Sequence, residues 1–276
     1  MSRGAWLDAH AFLAPVARFC GEVETALAGI PAPAAPREWW DEHGPDFDAG
    51  VPLLHSSSAP VELEPGGALA VALVERLAAG SPDGALAEDA RALRAELARE
   101  PDAAQRVARW LLGDESLAPS APGLLRYLGW TALARYLAPV VAAFGGLRGA
   151  EGWLRAHCPV CGALPAMAQL IGVDPGRKRF LCCGRCLARW RYTRMGCPFC
   201  ERDDQRLGVV AVEGEAGLRI DYCESCRGYL KTYNGAGQEA VCLADWTSLH
   251  LDVLAYDRGL KRLAVSLYDL EPAVHP

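Results

Sequence analysis

The 276-residue sequence has no uncharged apolar run long enough to cross a bilayer, which takes about 20 residues. Residues 136–147 are uncharged but short, and Pro139 and Gly145-Gly146 interrupt them. Residues 156–173 form a longer stretch, yet they include His157, two prolines and a cysteine pair. A secretory apolar core is also missing, because Met1-Ser2-Arg3-Gly4 is followed by Trp6, Asp8 and His10. The expectation is therefore a protein of the reducing cytoplasm, where disulfides are scarce. An even cysteine count is lacking too: there are eleven, so a complete disulfide framework is excluded. Net positive charge is absent, the formal charge being −6, which argues against a general nucleic-acid binder with its basic footprint. No catalytic constellation is legible either. His10, His43 and His55 have no Ser, Cys or carboxylate arrangement around them that would carry acid–base or nucleophilic chemistry.

What the chain does have is four Cys-x-x-Cys pairs within 69 residues: Cys158/Cys161, Cys183/Cys186, Cys197/Cys200 and Cys223/Cys226. Cys158 and Cys183 are 25 positions apart, and Cys197 and Cys223 are 26 apart. The segment reads as one metal-binding unit made twice in tandem, each unit offering four thiolates to one tetrahedral ion. Two residues between cysteines let a tight turn aim both sulfurs at one point, and a second turn two dozen residues later closes the tetrahedron. Proline follows the leading cysteine of each unit, in Cys158-Pro-Val-Cys-Gly162 and Cys197-Pro-Phe-Cys-Glu201, and its fixed φ suits a rigid knuckle. Gly162 permits positive φ without strain. Glu201 takes that place in the second unit, a departure from the first.

Short apolar runs at 167–173 and 179–182 are split by Asp174-Pro-Gly176, and runs at 207–212 and 218–222 by Glu213-Gly-Glu-Ala-Gly217. Each unit is thus knuckle, strand, turn, strand, knuckle, a rubredoxin-like or zinc-ribbon module. A core so small leaves much of the folding free energy to the ion. Pairing the first knuckle with the second and the third with the fourth preserves the repeat; a crossed pairing is the alternative. Four thiolates accept iron or zinc alike. With two divalent ions bound, eight thiolates add about −4 to the charge. The run Arg177, Lys178, Arg179, Arg185, Arg189, Arg191 and Arg194 carries no acidic residue among its charges, and it either screens the thiolates or offers a docking face to an acidic partner. Of the remaining cysteines, Cys20 falls on an apolar helical stripe, Cys242 has no partner at ligand spacing, and Cys182 reads as a strand side chain.

The fold class is α+β. Residues 1–150 read as a helical domain, 151–194 as the first four-cysteine metal ribbon, 195–242 as the second, and 243–276 as a C-terminal helix packed back on the body. In the helical part, Trp6, His10, Leu13, Ala17, Cys20, Val23 and Leu27 recur at helical spacing as one helix ended by the prolines at 31–36. Residues 37–66 read as an ordered loop. Leu69, Leu73 and Leu77 mark another helix, Leu86, Leu93 and Leu97 a third after a turn at 80–84. Val107, Trp110 and Leu111 mark a short one, and Leu124, Leu128, Ala132 and Tyr136 the next. In the C-terminal helix, Asp245 is the expected N-cap and Trp246, Leu249, Val253, Tyr256, Leu260 and Leu263 the buried seam.

Over residues 150–265 the chain resembles the FdhE family of formate dehydrogenase accessory proteins. The resemblance rests on Cys158-Pro-Val-Cys-Gly162, Arg179-Phe-Leu-Cys-Cys-Gly-Arg-Cys186 with Trp190, and Cys197-Pro-Phe-Cys200. It rests further on Asp221-Tyr-Cys-Glu-Ser-Cys-Arg-Gly-Tyr-Leu-Lys231 and Asp245-Trp-Thr-Ser-Leu-His-Leu-Asp-Val-Leu254. It implies a cytoplasmic assembly factor, not an enzyme, that binds the catalytic subunit of formate dehydrogenase during maturation and carries two tetrahedral ions, iron or zinc, each held by four cysteines. The alternatives are a rubredoxin-like electron-transfer or redox-sensing protein and, third, a zinc-ribbon nucleic-acid binder using the 177–194 arginines.

Overall fold

Pro15 breaks the expected first helix in two. Proline has no N–H to donate one turn back, and its ring clashes with the carbonyl there, so the chain stops and restarts. In the computed structural model, which describes residues 2–37, 39–80, 85–147, 152–173, 175–202, 206–215 and 217–268, α1 spans Arg3–Ala9 and α2 spans Ala14–Ala28. His10 closes α1 with φ −129 and ψ 53, and a 3-10 turn at Ala11–Leu13 leads into α2, which carries proline in its first turn. The turn expected at 81–84, together with Asp174 and Ala216 of the ribbon turns, lies outside the described residues.

The loop that follows contains a short helix α3 (Gly44–Ala49) and a 3-10 turn at Leu53–His55. Four helices then complete the helical part: α4 (Glu64–Gly80), α5 (Ala85–Leu97), α6 (Ala103–Leu111) and α7 (Pro122–Leu147). The apolar stripes expected from periodicity face inward. Leu69 and Leu73, Leu93 and Leu97, Val107 and Trp110, and Leu124, Leu128 and Tyr136 are all buried. Leu86 is partly exposed. Gly67 lets α4 lie directly on α6, because a Cβ at that position would come within 2.1 Å of the Ala104 carbonyl oxygen. Among the described residues no helix is long and apolar enough to cross a membrane.

The cysteine-rich half forms one six-stranded sheet from β1 (Pro165–Ile171), β2 (Lys178–Cys183), β3 (Arg189–Tyr192), β4 (Leu207–Ala211), β5 (Leu218–Cys223) and β6 (Tyr229–Asn234). Their order is β3-β2-β1-β6-β5-β4. Each ribbon is an antiparallel trio, and the trios join through a parallel pairing of β1 with β6, with Met167 opposite Lys231 and Leu170 opposite Asn234. The two units therefore lie side by side in the same sense, like a motif shifted along the sheet. The third strand of each unit, β3 and β6, is an addition to the expected two. Arg189-Trp-Arg-Tyr192 does alternate polar with aromatic, which is a strand signal, and it directly follows a knuckle.

The C-terminal segment holds α8 (Glu239–Cys242), a 3-10 turn at Asp245–Ser248 and α9 (Leu249–Asp257). This arrangement corrects the expected seam. Asp245 does not cap α9, whose N-cap position is Ser248. Because the first turn is 3-10, the helical phase shifts, and the buried face carries Leu251 and Ala255 while Val253 and Tyr256 are exposed.

A buried ionic lock fixes that face to β6. The Lys231 ammonium, 1% exposed, lies 2.6 Å from Asp245 Oδ1 and 2.8 Å from Asp252 Oδ2. It also donates to the Asp245 and Ser248 carbonyls. Arg262 bridges the same two carboxylates at 2.6 and 2.8 Å, and Tyr229 donates its hydroxyl to Asp252 Oδ1 at 2.7 Å. Burial alone would raise the Asp245 pKa, but Lys231 and Arg262 outweigh it and hold the carboxyl down at about 2. Removing one partner of a buried pair leaves a charge uncompensated, so Lys231→Met should cost about 3–5 kcal/mol of unfolding free energy in denaturant titrations. A depressed carboxyl contributes stability above its unfolded value of about 3.9. That contribution should disappear as the pH falls from about 4 through about 2, and acid titration of Asp245→Asn should lack this component.

Candidate metal centre

Four knuckles share one backbone design. The amide of each leading cysteine donates to the carbonyl five residues on: Cys158 to Ala163, Cys183 to Ala188, Cys197 to Arg202 and Cys223 to Gly228, at 2.9–3.1 Å. In three of them the residue after the second cysteine donates back to the leading carbonyl: Gly162 to Cys158, Glu201 to Cys197 and Arg227 to Cys223. That residue must turn left-handed. Gly162 (φ 74), Leu187 (φ 64), Glu201 (φ 53) and Arg227 (φ 62) all do, and the last three are the non-glycine residues with positive φ among those described. Glu201 thus adopts the same left-handed turn as Gly162.

The turns converge in sequential pairs. Cys158 Sγ lies 3.4 Å from Cys186 Sγ and Cys161 Sγ 3.4 Å from Cys183 Sγ. In the second unit Cys197 Sγ is 3.7 Å from Cys226 Sγ and Cys200 Sγ 3.8 Å from Cys223 Sγ. A tetrahedral ion with metal–sulfur bonds of about 2.3 Å places its ligands about 3.8 Å apart. All eleven cysteines are free of disulfides. Each tetrad also gathers its sulfurs within 4.8 Å of one another. Backbone amides aim at the sulfurs, from Arg185 to Cys183, Phe199 to Cys197 and Gly228 to Cys226, each at 3.4 Å. The donor set therefore fits a closed four-thiolate ion, iron or zinc.

Burial dominates the acidity of these thiols. It holds Cys158 and Cys186 well above the ordinary thiol range and pushes Cys197 up to about 12. It would raise Cys183 and Cys223 as well. Hydrogen bonds from the neighbouring thiols overcome it at Cys183, and backbone amides do so at Cys223, which comes down to about 7.

The two clusters differ in setting. The first is wholly buried, and the helical part clamps it: the Leu53 and Leu54 amides donate to the Pro159 and Val160 carbonyls at 2.9 Å. A Cβ on Gly162 would stand 3.2 Å from the Pro52 ring and 3.3 Å from His55 Nε2. The second cluster leaves Cys200 and Cys226 partly exposed. Near it, the Tyr229 and Lys261 backbones meet through Tyr229 N–H to Lys261 O at 3.2 Å.

Cys20, Cys182 and Cys242 are buried and belong to neither tetrad. Burial pushes the Cys182 thiol up to about 12. The arginine run knits the sheet to its loops: buried Arg179 donates to the Gly196 carbonyl, Arg177 to Asn234 Oδ1 and Arg189 to Gln169 Oε1. Arg185 lies 5.4 Å over the Trp130 ring. One expectation fails. His10 does meet a carboxylate, that of Glu215, at 3.0 Å. The two are 205 positions apart, and no local spacing signals the meeting.

Fold and site together define a helical protein carrying a duplicated ribbon with two four-cysteine clusters. No family model matches the chain. It is 38% identical over 116 residues to the FdhE homolog of Stutzerimonas stutzeri, covering 40% of this chain and 37% of that one. It is 32% identical over 142 residues to FdhE of Salmonella paratyphi B, covering 50% and 45%. The matched segments thus span less than half of either curated relative. The crystal structure of FdhE from Pseudomonas aeruginosa superposes with a TM-score of 0.60 at 27% identity, covering 95% of this chain and 90% of that one. The chain is thus similar to FdhE proteins in sequence over 40–50% of its length and in fold along nearly all of it.

Left-handed φ costs a non-glycine residue about 1–2 kcal/mol, while glycine adds about 0.4–1 kcal/mol of unfolded-chain entropy. Leu187 is largely exposed, so Leu187→Gly should raise stability by a net of about 0.5–1 kcal/mol, measured by thermal or chemical unfolding.

Proposed function

We propose that this protein is a cytoplasmic accessory factor, without catalytic activity of its own, that binds the catalytic subunit of formate dehydrogenase during its maturation. Cys158, Cys161, Cys183 and Cys186 hold one iron or zinc ion, and Cys197, Cys200, Cys223 and Cys226 hold the other. The observation that carries this reading is the closure of both tetrads by the chain's own sulfurs, within a fold shared along nearly its whole length with an FdhE structure. Four thiolates leave no position for water or substrate, so an ion so held is a structural crosslink and a poor Lewis acid. It fixes the shape of the ribbon sheet, which becomes the surface presented to the client subunit.

A second reading, electron transfer through iron, draws on one feature. Cys200 and Cys226 bring the second cluster to the surface, where a redox partner can reach it. Anaerobically purified protein that contains only zinc would dispose of it.

Co-purification with the formate dehydrogenase catalytic subunit tests the main reading. A complex should form with the metal-loaded chain, and failure to retain the subunit under anaerobic conditions would refute the proposal. Cys161→Ser and Cys200→Ser should each lower metal content from two ions to about one by elemental analysis, with the α-helical circular dichroism signal largely kept. Two full ions in both variants would contradict the ligand assignment.

A further inference from the structure

The geometry points to a third metal site, built by His10, Glu215 and His250 for a divalent first-row transition ion such as Zn2+ or Fe2+. The site stands apart from both cysteine clusters and does not depend on the function proposed above.

Its three residues come from three places. His10 closes α1, Glu215 sits in the turn between β4 and β5, and His250 lies in the first turn of α9. Their side chains are 9%, 6% and 17% exposed. Both imidazole Nε2 atoms reach the same carboxylate oxygen, Glu215 Oε1, His10 at 3.0 Å and His250 at 2.5 Å. The ligand atoms all lie within 4.8 Å of one another.

The backbone fixes one proton of His10 and leaves its other nitrogen facing the carboxylate. His10 Nδ1 lies 2.9 Å from the Trp6 carbonyl oxygen, which can only accept. The proton of a neutral ring is therefore on Nδ1, and its Nε2 lone pair faces the Glu215 oxygen. Two lone pairs at 3.0 Å repel unless a cation lies between them or the ring takes a second proton. A ring nitrogen fixed by a backbone carbonyl while the other faces outward is the usual arrangement of a metal-ligating histidine. Glu215 offers further capacity: its Oε2 is buried and has no hydrogen-bond partner among the described residues.

The surroundings preorganise the rings. Trp6 stacks on His10 at 4.0 Å, and its own Nε1 is tied to the Thr247 carbonyl. Phe12 stands edge-on to both imidazoles, 5.8 and 5.3 Å away, and is itself largely exposed, so solvent is one side chain distant. Ligands around a tetrahedral ion with bonds of about 2.0–2.1 Å stand about 3.3 Å apart. The observed 3.0 and 2.5 Å are hydrogen-bond contacts, so the three groups separate by about 0.3–0.8 Å to admit an ion of that size. Two imidazoles and one carboxylate with open positions suit Zn2+ or Fe2+. Imidazole donors disfavour Mg2+ and Ca2+, which prefer oxygen. The bound ion joins the N-terminal helix, the second ribbon and the C-terminal helix.

The test uses the full chain with both cysteine clusters saturated with zinc, titrated with Co2+. The wild-type protein should take up one further equivalent, with a nitrogen- and oxygen-ligand visible spectrum and no sulfur-to-metal charge-transfer band. Glu215→Gln and His250→Asn should each weaken that uptake roughly tenfold or more while keeping two zinc ions. No extra equivalent in the wild type, or uptake undiminished in both variants, would overturn the assignment. Should a variant lose its zinc through misfolding, imidazole 15N spectra of the wild type decide. One equivalent of Zn2+ must shift the signals of two histidines, and unchanged signals refute the site.

Discussion

Everything in the cysteine-rich half depends on a single backbone requirement: the residue after each thiol pair must turn left-handed. That turn brings both sulfurs of a pair to one side, sends the chain into the next strand, and frees amides to point at sulfur. Glycine meets the requirement at 162 without strain, whereas Leu187, Glu201 and Arg227 meet it against their own steric preference. Three strained residues persist only where the surroundings over-determine them. The convergence of four sulfurs in each tetrad supplies that constraint.

The ribbons are not isolated beads, however. Joined by the parallel β1–β6 pairing, they form one sheet whose inner residues belong to the same core as the helices, from Trp6 to Leu267. The two runs that carry the strongest family resemblance become intelligible together here. Gly-Tyr-Leu-Lys231 is the start of β6 and Leu251-Asp252 lies in α9; Tyr229 and Lys231 both grip Asp252. These runs are two halves of one buried lock. Neither half can be exchanged alone, since a solitary buried charge is far costlier than the pair.

Legibility in the sequence follows range. The cysteine pairs, their sequential pairing and the helical stripes are encoded within a turn or a repeat, and the structure has them where spacing puts them. The third strands are easily passed over because each is short and begins a few residues beyond a knuckle, although Arg189-Trp-Arg-Tyr192 carries the alternation of a strand. The C-terminal seam departs from its heptad spacing because the 3-10 turn at Asp245–Ser248 shifts the phase of α9. His10, Glu215 and His250 are invisible as a group, because only the folded chain brings an N-terminal helix, a ribbon turn and a C-terminal helix to one point.

Duplication gave two cages of the same chemistry, and the fold has made them unequal. The first is sealed beneath the 37–66 loop, whose Leu53 and Leu54 amides hold its knuckle from outside. Its four sulfurs are shielded from water, between the helical body and the sheet. The second lies at the far side of the sheet with two sulfurs partly exposed, where solvent and hydrogen bonding tune whatever ion it holds. Of the two cages, the second is the one that solvent reaches. Its strands β5 and β6 are also the ones α9 packs against, and the β4–β5 turn carries Glu215. The second cage thus shares its strands with the packing face of α9 and its β4–β5 turn with His10 of the first helix.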